Sequence, residues 1–174
     1  FYTNRFHPVF LEARRLTQTG LIGRVTSCEA RIIASQVKFR NPRSWLFDKE
    51  KAGGGILSWL GCHYIDLLRF ILADEVASVI SFTDTLSGEA ISVEDVAIVG
   101  LRFRNGALGT LSAGYELALP NAGGRAYDTY LGFRGTSGAL YWTREDPPTL
   151  HVETAHPEWS AAPIRRMQFE LGTS

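Results

Sequence analysis

His63 is the residue best suited to move a proton, because an imidazole titrates near neutral pH. It sits inside an apolar stretch, Ala52 to Leu72, that begins with Gly53, Gly54 and Gly55. Trp59 precedes it by four residues and Asp66 follows it by three, so uniform helical winding puts all three on one face. A carboxylate one turn from an imidazole can hold one ring nitrogen, fix the tautomer and leave the other nitrogen for a ligand hydroxyl. The same spacing fits a plainer arrangement, in which His63 is structural and Asp66 meets Arg69 or another donor. Three glycines before a helix leave backbone donors free for an anion, but neither GxGxxG nor GxxxxGK[ST] is present. A tight turn with close backbone packing is therefore the expectation, with approach by a non-phosphate ligand left open.

Other chemistries find less support. His7, His151 and His156 lie at no metal-type spacing, no GxSxG elbow occurs, and Cys28 and Cys62 form no CxxC pair. No metal site is expected, and the two cysteines are expected as buried, reduced thiols. In the segment Gln36 to Lys51, Arg43 and Trp45 could form a polar wall with an aromatic side, or simply belong to a solvated loop anchored by the indole.

The elements that must position these groups fall into two halves. Pro8 to Thr19 reads as a helix, with Pro8 in the first turn and Gly20 ending it. Val25 to Ala34 reads as a strand, Gln36 to Lys51 as a long ordered loop, and the glycine-entered segment as a core helix. Polar residues interrupt that helix too often for a membrane span, so no transmembrane segment is expected. Strands are then predicted over Val76 to Leu86, Asp95 to Arg104, Ala107 to Leu119, Asp128 to Phe133, Ala139 to Trp142 and Leu150 to Glu153, as a β-meander. Pro120 to Arg125 is expected to be a mobile loop and Asp146 to Pro148 a turn.

Asn105 and Gly106 predict a two-residue type I′ hairpin. That register puts Val99, Leu101, Phe103, Leu108 and Thr110 on one face and Val96, Ile98, Leu111, Ala113 and Tyr115 on the other. Neither face is cleanly polar, which implies that the second is covered by another subunit or domain, unless the register slips by one residue.

The chain has 174 residues, 45% hydrophobic and 21% charged, with 18 basic and 18 acidic side chains. This fits one globular domain over residues 1–174, and the balanced charge gives no pull towards nucleic acid or an anionic membrane. The fold expected is α+β: an open, mostly antiparallel or mixed β-sheet with helices packed on one face and an oligomer or domain interface on the other. The thiols point to a cytoplasmic setting. The start at Phe1 reads as a fragment, so an export signal upstream stays open.

Several short motifs follow one another in a specific order. They are Asn4, Arg5 and Phe6 with Pro8; Gly20 to Val25; Arg43 to Trp45; Gly53 to Gly55 with Gly61, His63 and Asp66; and Gly135 to Gly138. In this order the chain resembles the carboxy-terminal domain of the Gfo/Idh/MocA oxidoreductases, over most of its length. The resemblance implies a substrate-binding and oligomerisation domain that works with an amino-terminal Rossmann domain, on a small sugar, polyol or cyclitol. NAD or NADP would be bound by that other domain, together with a lysine in a Glu-Lys-Pro motif, and this chain alone should bind no cofactor and turn nothing over. A homo-oligomer through the sheet is implied, with no nucleic-acid or membrane partner.

The family's GGGxLxDxGxH pattern maps its histidine to His63 and its aspartate to Trp59, which can accept no proton. The resemblance thus makes His63 the acid/base with Asp66 as its orienter, and Arg43, Trp45, Trp59 and Tyr64 the candidate substrate-binding residues. Trp59 could stack on a pyranose ring or fill core. The alternative is a non-catalytic sugar-binding or assembly module that kept the fold after losing the aspartate.

Overall fold

A computed structural model describes residues 2–118 and 127–170. The expected loop Pro120 to Arg125 lies outside the described residues. Helix α1 spans Pro8–Gln18 and strand β1 Val25–Ser35, close to the predicted limits. The His7 side chain accepts from the Val9 N–H at the start of α1, and Pro8 stands where its missing donor costs nothing.

The segment after β1 is less loop-like than expected. It folds into 3-10 turns at Val37–Phe39 and Trp45–Phe47 and a one-turn helix α2, Lys49–Ala52. Ser44 and Asp48 supply side-chain caps to the second turn and to α2. Gly53, in the left-handed conformation at φ 77, closes α2. The helix beyond is not uniform. Leu57–Gly61 winds as a π-helix and only Cys62–Leu72 is α-helical, designated α3. By length and composition the stretch Lys49–Leu72 could cross a membrane, but Leu67, Leu68 and Ile71 of α3 are buried in the core of this domain.

Seven further strands complete the fold: β2 (Val76–Asp84), β3 (Val96–Phe103), β4 (Leu108–Leu117), β5 (Tyr127–Gly135), β6 (Gly138–Thr143), β7 (Thr149–Thr154) and β8 (Ile164–Gln168). Their order is β2-β3-β4-β1-β5-β6-β7-β8. The expected simple meander is corrected here: β1 separates two antiparallel ribbons, parallel to β4 and antiparallel to β5. The class is α+β, with an open, mixed, mostly antiparallel sheet and α1 and α3 packed on it. Val9, Phe10, Ala13 and Leu16 from α1 join the α3 residues against Ala30, Ile32, Leu111, Leu131 and Leu140 of the sheet.

The Asn105–Gly106 hairpin exists, but its register differs from the expected one. The Phe103 N–H donates to the Ala107 carbonyl and the Gly106 N–H to the Phe103 carbonyl, and only Gly106, at φ 90, is left-handed. The loop has three residues because Arg104 and Asn105 donate their N–H groups to the Glu75 carbonyl and the Asp74 carboxylate. Val99 therefore faces Leu111, and Leu101 faces Gly109. This one-residue slip gathers Val99, Leu101, Phe103, Leu111, Ala113 and Tyr115 onto the buried face. The two apolar faces expected from a two-residue turn do not form at this hairpin. The open face nevertheless carries Ile80, Phe82 and Ile98, each at least half exposed.

Candidate functional site

The site is built where the entry to α1, the start of α3 and the ends of β5 and β6 converge. They enclose an open cavity of ≈ 1050 Å³. From α3 and the turn before it come Leu60, His63, Tyr64 and Leu67; from the amino-terminal segment, Asn4, His7 and Phe10. Tyr127, Thr129 and Trp142 form the sheet side, and Arg144, Glu145 and Asp146 the rim beyond β6. Such a volume is on the upper side of the roughly 300–1,000 Å³ usual for small-molecule sites.

His63 is half-buried, with the ring of Tyr2 set edge-on at 5.5 Å. Its Nδ1 is buried and has no hydrogen-bond partner among the described residues. The Trp142 Nε1 is in the same condition, and so is the Thr129 hydroxyl, which lies close to the Tyr64 hydroxyl without making a hydrogen bond of ordinary geometry. Buried polar groups are ordinarily paired, and three of the six unpaired ones among the described residues lie in the walls of this cavity, the others being on Arg31, Gln36 and Trp59. These atoms lie behind the solvent-reached surface. Burial pushes the Tyr64 hydroxyl up to about 12, so it stays a neutral donor.

At the rim, the Glu145 carboxylate meets His151 Nε2 at 2.7 Å and Arg166 at 3.2 Å. Burial alone would raise this carboxyl, and the hydrogen bonds from His151, Thr143 and Arg166 outweigh it and hold it low. The rim thus carries an ionised carboxylate that is paired with Arg166.

Of the expected site residues, the cavity brings together His63 and Tyr64 and leaves the rest outside. Asp66 is buried, but it does not orient His63: its two oxygens take the Arg5 guanidinium, at 2.7 Å from Nε and by a second bond from Nη2. A bidentate guanidinium satisfies the carboxylate better than one imidazole N–H would. Trp59 packs edge-to-face on Trp45 at 5.0 Å, and neither indole lines the cavity. The alignment of Trp59 with His63 assumed α winding, which the π-turn breaks. Arg43 is exposed on the same segment. Cys28 and Cys62 are free, and burial pushes the Cys28 thiol up to about 12. Among the described residues, no cluster of His, Cys, Asp or Glu could hold a metal.

Sequence reasoning missed His7, Tyr127, Thr129, Trp142 and Arg144. Tyr127 and Trp142 lie on β5 and β6, far along the chain from His63, and periodicity signals only their strands. His7 carried one local clue, its place directly before Pro8 at a helix start.

The three glycines do form a turn, close-packed at Gly54 and Gly55 and open at Gly53. The Gly55 and Leu57 N–H groups donate to the Glu94 carboxylate at 2.7 and 3.2 Å, and the Ile56 N–H to the Glu94 carbonyl at 3.2 Å. The protein's own acidic side chain thus takes the place an anion would use.

Comparison with known proteins gives concordant matches. The GFO/IDH/MocA C-terminal domain model matches residues 10–141. A levoglucosan dehydrogenase of Pseudarthrobacter phenanthrenivorans is 29% identical over 88% of this chain and 44% of its own length. An inositol 2-dehydrogenase of Rhizobium meliloti is 26% identical over 88% of this chain and 43% of its own. Among solved structures, an oxidoreductase domain protein from Kribbella flavida superimposes with a TM-score of 0.78 at 32% identity, covering 96% of this chain and 47% of that one. A levoglucosan dehydrogenase in complex with NADH and levoglucosan gives 0.79 at 27% identity, covering 97% and 46%. The chain spans less than half the length of these relatives.

Proposed function

The chain belongs to the GFO/IDH/MocA C-terminal domain family, and from that premise we propose that it is the substrate-binding domain of an NAD(P)-dependent oxidoreductase acting on a sugar or cyclitol. The observation that carries this reading is the cavity itself: aromatic faces from Tyr64, Tyr127 and Trp142 beside Asn4, His7, His63 and Arg144. Rings suit the C–H faces of a sugar, and convergent donors and acceptors suit its hydroxyls. A relative solved with NADH and levoglucosan supports the same class.

Among the described residues the glycine-entered helix start does not fit the dinucleotide's phosphates, because Glu94 fills it. The cofactor is therefore assigned to an amino-terminal Rossmann domain, NAD and NADP being equally compatible with this chain. A bound nicotinamide supplies a hydride acceptor. The work left to this chain is to seat the substrate and exchange the proton of its hydroxyl, for which His63 is the placed group, with Tyr64 as a neutral donor beside it. Trp59 takes no part, and Arg5 with Asp66 ties the amino-terminal segment to α3. The exposed Ile80, Phe82 and Ile98 on the open sheet face fit contact with a second copy of this chain.

One observation favours a second reading, a sugar-binding module without catalysis: Trp59 stands where the family pattern has its aspartate. The two separate in one assay. The whole protein, offered NAD or NADP with levoglucosan and myo-inositol, is expected to reduce cofactor with at least one of them. Saturable binding without any reduction would instead establish the non-catalytic reading.

A further inference from the structure

His7 occupies a position with two jobs. As the cap of α1, its Nδ1 accepts the Val9 N–H at 3.3 Å. An imidazole nitrogen that accepts carries a lone pair, so the neutral ring must hold its proton on Nε2. The ring is held against Phe10, with centroids 5.4 Å apart and planes at 47°. It lines the cavity that also holds His63 and Trp142. Nε2 has no hydrogen-bond partner among the described residues and, unlike His63 Nδ1, it is not sealed in. His7 thus brings an unpaired N–H to the lining of this cavity, a donor without an acceptor among the described residues.

We propose that His7 donates a hydrogen bond from Nε2 to an oxygen of the bound polyol and so helps determine which polyols the cavity accepts; the inference rests on the polyol reading above. Protonating the ring would put a hydrogen on Nδ1 and break the helix cap, and burial likewise lowers the basicity of the ring. The donor is thus a neutral one, suited to a hydroxyl or ether oxygen. The two histidines are not equivalent: the tautomer of His7 is set by the α1 backbone, whereas nothing among the described residues sets that of His63.

The cap and the donor can be separated. Asn and Ser cap helices well, so His7→Asn and His7→Ser keep an acceptor for the Val9 N–H while being too short to reach into the cavity. In the whole protein, both variants are expected to keep the wild-type Tm and to bind levoglucosan or myo-inositol roughly 3- to 10-fold more weakly, read by quenching of tryptophan fluorescence. The loss should fall on KM rather than kcat. Wild-type affinity in either well-folded variant would overturn the proposal and leave the polyol reading intact. Failure of the wild-type protein to bind either probe would remove the polyol reading and this inference together.

Discussion

His63→Asn in the whole protein should lower kcat about 100- to 10,000-fold, the usual worth of a positioned acid/base group. Asparagine keeps a polar group at the level of Nδ1 but does not extend to Nε2 and has no titrating nitrogen, so it cannot take a hydroxyl's proton. The fold should be unaffected. His63 is half-buried, its Nδ1 makes no hydrogen bond among the described residues, and the core contacts of α3 come from Leu67, Leu68 and Ile71. Substrate affinity should change far less than kcat, since the aromatic walls and Arg144 stay in place. Steady-state kinetics with whichever polyol is turned over, paired with thermal melting, checks this. A kcat within twofold of wild type would take His63 out of the mechanism.

Gly55→Ala is expected to have the largest effect on stability. A methyl at Gly55 would lie 1.9 Å from the Glu94 carbonyl oxygen, which belongs to rigid backbone at the edge of β3. Neither side can yield cheaply, because the same backbone accepts the Ile56 N–H and the Glu94 side chain holds the Gly55 and Leu57 N–H groups. A cost of about 3 kcal/mol, at the high end for overpacking, corresponds to a fall in Tm of roughly 6–12 °C for a domain of this size. Gly53→Ala, in contrast, meets no atom within 4 Å, and its cost comes from φ 77 alone. Differential scanning calorimetry of the two variants measures the contrast. Equal, small shifts would mean that the turn is looser than described.

What the sequence discloses here is mostly local. Pro8 and Gly20 bracket α1, the branched residues of β1 announce a strand, and three glycines announce a turn, Gly53 for its positive φ and Gly54 and Gly55 for close packing. What it hides depends on partners distant along the chain. Asp66 looks like a companion for His63 because they are neighbours, yet its ligand is Arg5, 61 residues away. The hairpin register follows from the anchors at Asp74 and Glu75 rather than from Asn105 and Gly106 alone. Strand β8, short and largely exposed, was missed because Arg165 and Arg166 interrupt any alternation, although such charges are what a safe edge strand carries. His63 was legible through its helix and its motif. The cavity around it was not, because its walls meet only when β1 inserts between β4 and β5.

The most direct measurement is a crystal structure of the whole protein with the polyol it binds. The account predicts the ligand in the cavity, one hydroxyl within hydrogen-bond reach of His63, another oxygen on His7 Nε2, and a ring face on Tyr64, Tyr127 or Trp142. A ligand seated instead against Trp45 and Trp59, away from His63, would contradict it.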